Sequence, residues 1–374
     1  MSNLLRTERE VLARALPGLE DALSALGFVG REVTEGAAIE AFRAYDGPGL
    51  LMPAEYGGLG CSALTALQVQ IALGSLAPSL AVGTSMHHYK VAALASCRGT
   101  LPGIETLLAT IGENRWLVGS GGAEGQADGR LYEPTVTASE NGLQILVNGT
   151  KRPCSLTWSM DVLSMMVRST PESRFGGQLL HIFVNARDPT ITKRQFWSNP
   201  VLLAAESHQV TLLDTPVDER MIVPIGTSES AAPFALAAYA WFELISCGAY
   251  LGCLARLVEL CLEKPRCPAE RLAEWISTFE TLRTALTTLA QELDRKIEID
   301  AMSRLLRIRY HMERQIAATS QQCLLTLGGL SFATDTEATY FASACLALHF
   351  HPPSFSSMAK NLADQVDGGN LVLA

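Results

Sequence analysis

A segment with the periodicity of β-strands lies between two long helical blocks, and this order limits the possible folds more than any other feature. From about residue 116 to residue 224, apolar and polar side chains alternate, as at Leu143, Ile145 and Val147 before an Asn-Gly turn. The flanking residues have the three-to-four-residue spacing of helices. We therefore expect a mainly α protein with a central β domain: an N-terminal helical domain (1–114), a middle β domain of six to eight strands (115–226) and a C-terminal helical bundle (227–374).

The composition argues against several classes of protein. Of the 374 residues, 48% are apolar and 18% are charged, which is typical of a globular chain. The net charge of −9 and the lack of an obviously basic face argue against a nucleic-acid partner. No uninterrupted apolar run reaches the roughly 18 residues that span a bilayer, and the N-terminus has the pattern of an amphipathic helix rather than a signal peptide. We expect a cytoplasmic protein that binds neither nucleic acid nor membrane.

The nine cysteines show no pattern of a metal site or of a disulfide framework. They include no C-x-x-C pair, and the histidines are not clustered around them. In a cytosolic chain such cysteines are usually reduced and buried as small apolar side chains. We therefore expect no structural metal.

Four short motifs occur in an order that resembles the acyl-CoA dehydrogenase family over essentially the whole chain. They are MPAEYGGLGCS (52–62), AEGQADGR (123–130), NGTKRPCS (148–155) and TLGGLSF (326–332). Each motif alone is weak, whereas the ordered set of four is much more specific. The resemblance implies the fold of that family: an N-terminal helical domain, a small β-barrel or sandwich and a C-terminal four-helix bundle.

The resemblance also implies a flavin cofactor, FAD, and the residues that would hold it. The loop that carries Gly122, Ala123, Glu124 and Gly129 would face the isoalloxazine together with the strand that carries Pro153 and Ser155. Ser155 keeps a hydroxyl where the family has Thr, whereas Pro153 replaces a Trp that forms an aromatic platform. Gly328 and Gly329 would approach the adenine end of a flavin held by a neighbouring subunit, since close backbone approach favours Gly. The protein would then be a homodimer or homotetramer.

The chain departs from the family at the position of the catalytic base. The family's C-terminal catalytic Glu is replaced here by His351. A minority of relatives place the base on the first helix of the bundle, where this chain has Phe242 followed by Glu243. The family's Arg-x-x-x-Phe-Gly motif is absent as well, and Arg266 or Arg271 could replace its arginine.

Each candidate residue also has a structural interpretation. His351 could serve as a base or hydrogen-bond donor in the site, or it could stabilise the carbonyls at a helix end. Glu243 lies in an apolar helix, so its carboxyl group must be paired, protonated or functional. His87 and its neighbour lie on a helix that borders the acyl pocket in the family, although the sequence favours structural packing for both. Phe242 would line the substrate pocket.

Three functions therefore compete. The first is a FAD-dependent oxidoreductase that acts on an acyl thioester of CoA or an acyl carrier protein, by α,β-dehydrogenation or a variant that starts with α-proton removal. The second is a flavin-dependent monooxygenase of the same fold, because such relatives also lack the Glu. The third is a cofactor-free, non-enzymatic relative. A role in secondary metabolism would suit so diverged a member, by analogy only.

Overall fold

The computed structural model describes residues 3–125, 133–226, 232–265, 267–369 and 371. Within these ranges the chain forms twelve α-helices and eight β-strands. The helices are α1 (Arg6–Ala15), α2 (Leu19–Ala25), α3 (Gly27–Glu32), α4 (Ala37–Ala44), α5 (Ala63–Leu76), α6 (Pro78–Ser96), α7 (Ile104–Glu113), α8 (Ala232–Leu262), α9 (Ala269–Arg295), α10 (Ile299–Thr334), α11 (Thr336–Leu346) and α12 (Phe355–Asp364). The strands are β1 (Val118–Gly121), β2 (Thr137–Asn141), β3 (Gln144–Cys154), β4 (Val162–Ser169), β5 (Leu179–Asn185), β6 (Ile191–Arg194), β7 (His208–Val217) and β8 (Ile222–Gly226).

The chain divides into two compact units. The helical unit contains residues 1–45, 62–82 and 239–373, and the sheet unit contains residues 46–61 and 83–238. The order of secondary structure is the predicted one, with a β segment between two helical segments. The two units do not follow the three predicted segments, because the helices before the sheet are divided between them.

The first 45 residues form four helices where the sequence pattern predicts two, over 4–27 and 34–46. Gly18 has φ +88° and Gly36 has φ +84°, values that are favourable for Gly and costly for other residues. Gly18 follows Pro17, which cannot donate the backbone hydrogen bond that a continuous helix needs at that point. The apolar spacing continues across this break, and for this reason the pattern alone suggested a single helix.

In the core of the helical unit, α5 and α8 are in direct backbone contact. A Cβ atom at Gly74 would lie 2.0 Å from the carbonyl oxygen of Ala249, and one at Gly252 would lie 2.1 Å from the carbonyl oxygen of Ile71. Any larger side chain would force the helices apart. These two glycines therefore set the distance between the two helices.

By length and composition α8 could cross a membrane, which the search for uninterrupted apolar runs did not reveal. Residues Pro233–Leu262 have a mean hydropathy of 1.5 in their most apolar window, and 94% of that window is buried within the protein. Burial on all sides is the environment of a core helix, and this accounts for the apolar composition of α8.

The eight strands of the sheet unit form one sheet. The strand order is β6-β7-β3-β2-β4-β5-β8, and β1 pairs in parallel with β4. The long strand β3 pairs antiparallel with both β2 and β7. Next to the end of β3, Ser120 of β1 and Ser155 form an antiparallel bridge. This bridge brings together the two segments that the sequence assigned to the flavin.

Candidate functional site

The loop and the strand that were predicted to face a flavin lie side by side in the sheet unit. The backbone N–H of Arg152 donates to the carbonyl oxygen of Ala123 at 2.9 Å, beside the Ser120–Ser155 bridge. Pro153 is exposed, whereas Gly122, Ala123 and Ser155 are half-buried. Gly129, the remaining predicted member of this loop, lies outside the described residues. The described members therefore lie together, partly exposed, where β1 and β3 end, and we call this group of residues the β1–β3 edge (residues 120–124 and 152–155).

Glu124 fastens this loop to the sheet. Its carboxylate accepts from Lys151 Nζ at 2.5 Å and from the backbone N–H and hydroxyl of Thr135 at 2.9 and 2.6 Å. Burial works to raise the pKa of Glu124, but the hydrogen bonds from Lys151 and Thr135 outweigh it and hold the pKa below its usual value. Glu124 is thus engaged by the protein itself, which favours a structural role, and its contact with a cofactor stays a prediction.

Two hydroxyl pairs supply polar atoms at the β1–β3 edge. Tyr89 Oη lies 2.6 Å from Ser120 Oγ, and Ser155 Oγ lies 2.9 Å from Ser207 Oγ. A Cβ atom at Gly122 would meet only Ser120 Oγ, at 3.8 Å, so the backbone is open to a planar group. Hydroxyls beside an open stretch of backbone are suited to the polar rim of an isoalloxazine ring, so this edge fits a flavin.

Trp158, which the sequence offered either as a stacking surface or as a core residue, adds an aromatic surface near this edge. Its side chain is 42% exposed, and its ring packs on the His208 ring at 5.3 Å. The buried Glu206 accepts hydrogen bonds from the backbone N–H groups of Trp158 and Ser159 and so fixes this turn. Pro153 stands where the family has a Trp, and Trp158 follows it by only five residues. This nearby aromatic side chain was a signal in the sequence for an aromatic surface at this place.

In the helical unit, the predicted site residues His351 and Phe242 come together. Their ring centroids are 5.8 Å apart, and His351 Nε2 lies 2.6 Å from Tyr250 Oη. His351 follows the short 3₁₀ turn Ala347–Phe350 and keeps partial exposure. Burial lowers the pKa of His351 to about 3, and the positive charge of Arg309 makes a smaller contribution in the same direction. The imidazole is therefore neutral at physiological pH.

Glu243, also predicted, is paired with a buried arginine. Glu243 Oε2 lies 3.1 Å from Arg309 Nε, and a second carboxylate, that of Glu313, lies 3.1 Å from Arg309 Nη2. Burial raises the pKa of Glu243 to about 7, although the charge of Arg309 opposes the rise. Of the three states that the sequence left open, the structure shows the paired one. The predicted catalytic role of Glu243 stays a prediction.

Arg309 also holds the segment that carries His351. Its guanidinium donates to the carbonyl oxygens of His351 and Pro353 at 2.6 Å each and to that of Leu348 at 3.2 Å. The charge-rich stretch 295–314 predicts an exposed helix face, and for Arg309 this prediction is wrong because its side chain has no exposed surface. Glu243 in the apolar helix α8 was the signal in the sequence, since pairing with a buried cation was one of the three states open to its carboxyl group.

His87 is held by backbone groups on both sides. Its Nδ1 accepts from the N–H of Val118 at 3.0 Å, so its Nε2 carries the proton and donates to the carbonyl oxygen of Pro48 at 2.8 Å. This arrangement favours a structural role, and a place for His87 in the substrate pocket stays a prediction.

Gly328 and Gly329 lie in α10, where the helix geometry is interrupted. Gly328 has φ +83° and ψ 174°, and a Cβ atom added at either glycine would meet no atom within 4 Å. The surrounding Leu325, Leu330 and Phe332 are 64–79% exposed. The backbone here is open to close approach by another molecule.

The remaining candidate groups show no further centre. Arg271 pairs with Glu274 at 3.1 Å, and Arg266 lies outside the described residues. All nine cysteines are free thiols, and within the described ranges no three His, Cys, Asp or Glu side chains are placed to hold a metal ion.

The comparisons with known proteins give one close relative and several similar structures. No family model matches the chain. It is 34% identical over 376 residues to isobutylamine N-hydroxylase of Streptomyces viridifaciens, covering 98% of this chain and 99% of that one. Among solved structures, it is similar to KijD3 in complex with FMN and an amino-keto-sugar nucleotide (TM-score 0.84, 18% identity, 96% and 94% coverage). It is also similar to the prolyl acyl carrier protein oxidase AnaB (TM-score 0.80, 17% identity, 98% and 99% coverage).

Proposed function

The chain belongs to the acyl-CoA dehydrogenase family of flavoenzymes, and on this basis we propose that it hydroxylates the nitrogen of a primary amine. The observation that carries the proposal is the 34% identity, over nearly the full length of both chains, to an enzyme named for N-hydroxylation of isobutylamine. Similarity over the whole length includes both the β1–β3 edge and the residues around His351.

The groups around His351 support this chemistry over α-proton removal. Removal of a proton from carbon needs a base, and the imidazole of His351, whose pKa is lowered to about 3, holds a proton poorly. The nearby carboxylate of Glu243 is bound to Arg309. An amine nitrogen is itself a nucleophile, so N-hydroxylation needs no base that takes a proton from carbon. It needs an activated oxygen, and a reduced flavin supplies the electrons for that when bound.

We propose FAD as the flavin, as the resemblance implied, with FMN as the alternative. The β1–β3 edge fits the isoalloxazine ring, which the two cofactors share. Gly328 and Gly329 favour FAD, since an adenine end would use a backbone surface that is open in this chain. FMN is favoured by KijD3, whose structure contains it.

Oxidation of an acyl thioester is the second candidate. It is favoured by the family motifs in the sequence and by the shared fold with AnaB, an oxidase of a prolyl acyl carrier protein. In this case the partner would be acyl-CoA or an acyl carrier protein, and His351 or Glu243 would act as the base.

We also propose that the protein forms a homodimer or homotetramer. Exposed Leu325, Leu330 and Phe332 surround the open glycines of α10, and a second copy would remove this apolar surface from water. Light scattering of the purified protein measures the number of subunits, and a monomer would contradict the proposal.

One assay separates the proposed functions. The purified protein is incubated in air with a flavin reductase, NADH, FAD or FMN, and a series of primary aliphatic amines. Mass spectrometry should detect a product that is one oxygen atom heavier and that carries the isotope when labelled dioxygen is supplied. Bleaching of the bound flavin by an acyl thioester without oxygen would support the second candidate instead. A protein that binds neither flavin would contradict both.

A further inference from the structure

Tyr250 has a single hydrogen-bond partner among the described residues. Its side chain is fully buried on α8, and its hydroxyl lies 2.6 Å from Nε2 of His351. If His351 donated this bond, the phenolic proton would be buried without an acceptor, which costs about as much as a lost hydrogen bond. The hydroxyl therefore donates, and Nε2 accepts.

The protonation states of both groups agree with this direction. Burial raises the pKa of Tyr250 well above its usual value, so the hydroxyl keeps its proton. Burial and the charge of Arg309 lower the pKa of His351, so the ring carries one proton. The thiols of Cys253 and Cys345 also lie near Tyr250, and burial raises their pKa values, so both are neutral. Since Nε2 accepts, the one imidazole proton is on Nδ1.

The rest of the segment keeps the ring in place. Arg309 donates to the carbonyl oxygen of His351, and the hydroxyl of Tyr310 donates to that of Pro353 at 3.0 Å. His351 keeps partial exposure, and no described residue accepts a hydrogen bond from its Nδ1. An N–H donor in a fixed ring is thus left for a molecule that enters from outside the protein.

We propose that Tyr250 is a positioning residue that fixes the Nδ1–H tautomer of His351, so that the imidazole donates a hydrogen bond to the oxygen atom that is transferred to the amine and does not act as a base. The tautomer follows from the contacts of Tyr250 alone. The role of the donor rests on the proposed function.

The tautomer can be measured without cofactor or turnover. The chain has seven histidines, and a protein labelled with ¹⁵N-histidine gives two imidazole nitrogen signals for each. A His351→Gln sample identifies the pair that belongs to residue 351. In the wild type, Nδ1 should have the shift of a protonated nitrogen and Nε2 that of an unprotonated one throughout the neutral pH range. The opposite assignment would overturn the proposal, and this test needs no variant of Tyr250.

Two tyrosine variants then test whether the hydroxyl of Tyr250 fixes the tautomer of His351. In Tyr250→Phe, His351 should change to the Nε2–H tautomer or to a mixture of the two. Tyr310→Phe is the matched control, since it removes a buried hydroxyl that donates to the carbonyl oxygen of Pro353 and not to the imidazole, and it should keep the Nδ1–H tautomer. A Tyr250→Phe protein that keeps the wild-type tautomer would contradict the inference.

The role of the donor has its own measurement. Tyr250→Phe should lower the hydroxylated product formed per NADH by about tenfold or more, with KM for the amine little changed. If the tautomer changes while product per NADH stays at the wild-type value, the donor role is wrong. If the wild type itself forms no hydroxylated product, the proposed function fails, while the nitrogen shifts still decide the tautomer.

Discussion

The carboxylate of Glu243 lies 3.1 Å from the guanidinium of Arg309, and neither side chain has any exposed surface. Arg309 faces a second carboxylate, that of Glu313, at the same distance. One cation therefore serves two carboxylates and the carbonyl oxygens of the segment that carries His351. Arg309 connects the stability of the helical unit to the position of His351.

Arg309→Met should destabilise the protein more than Glu243→Gln. The first leaves two buried carboxylates without a cation, which typically costs about 3–5 kcal/mol. The second keeps the shape of the side chain and leaves Arg309 with Glu313 and its carbonyl partners, so a loss of about 1 kcal/mol is expected. Urea unfolding at neutral pH measures the free energy of unfolding of both variants.

Exposed Arg314 provides the control, because Arg314→Met should change the free energy of unfolding little. Equal losses for Arg309→Met and Arg314→Met would show that the buried ion pair does not stabilise the fold.

His351→Ala should abolish product formation and leave the flavin in place. The predicted isoalloxazine contacts belong to the β1–β3 edge of the sheet unit, whereas His351 belongs to the helical unit. Loss of a positioned proton donor typically lowers a rate by about 100-fold or more. The flavin content of the purified protein and the product formed per NADH are the two measurements. The adjacent Phe350 is 85% exposed, so Phe350→Ala is a suitable control and should keep both values. Full turnover in His351→Ala would leave His351 with the structural role at the helix end.

The order of the secondary structure was predictable from the sequence, whereas its long-range partners were not. The change of period at about residue 116 is a local signal, and the structure confirms the sheet that it predicts. Pro17 and Gly18 were local signals too, but the continuing apolar spacing obscured them.

The long-range contacts of the candidate site were likewise not predictable from the sequence. Sequence reasoning named His351 and Phe242, because a family motif and a helix position marked them, and the structure places their rings 5.8 Å apart. A paired state of Glu243 was one of three that the sequence left open, but the chain has 29 Lys and Arg residues, and only the fold identifies Arg309 as the partner. Tyr250 carried no signal at all, since its importance comes from a hydrogen bond to a residue 101 positions away.

Because of Lys90, the free energy of unfolding should increase as the pH rises from about 7 to about 10. Its side chain is buried over the Tyr89 ring, with Nζ at 4.9 Å from the centroid, and burial lowers its pKa to about 7. In the unfolded chain the pKa is about 10.4, so between these values the unfolded state binds more protons and raising the pH favours folding.

Lys90→Met should remove this rise and should stabilise the protein at pH 7, because it replaces a buried amino group that carries part of a charge by an apolar side chain. Thermal unfolding of both proteins over this pH range makes the comparison. Lys360, which is exposed and pairs with Asp364, provides the control, and Lys360→Met should keep the wild-type slope. A Lys90→Met protein with the same slope as the wild type would show that Lys90 is not the group that titrates.

Gly329→Ala should distinguish FAD from FMN. A methyl group at this position meets no atom of its own chain within 4 Å, and Ala is favoured over Gly in a helix by about 0.5–1 kcal/mol, so thermal stability should not fall. If the adenine end of a neighbouring subunit's FAD approaches this backbone, the methyl group occupies the contact and should weaken FAD binding by about 1–3 kcal/mol. FMN has no adenine, so its affinity should not change.

Titration of the flavin-free protein with each cofactor measures the affinities for FAD and FMN. Thr326 is exposed on the same helix, so Thr326→Ala provides a control. Unchanged FAD affinity would place the adenine end elsewhere, and an equal loss for both cofactors would mean that the variant acts through assembly of the subunits.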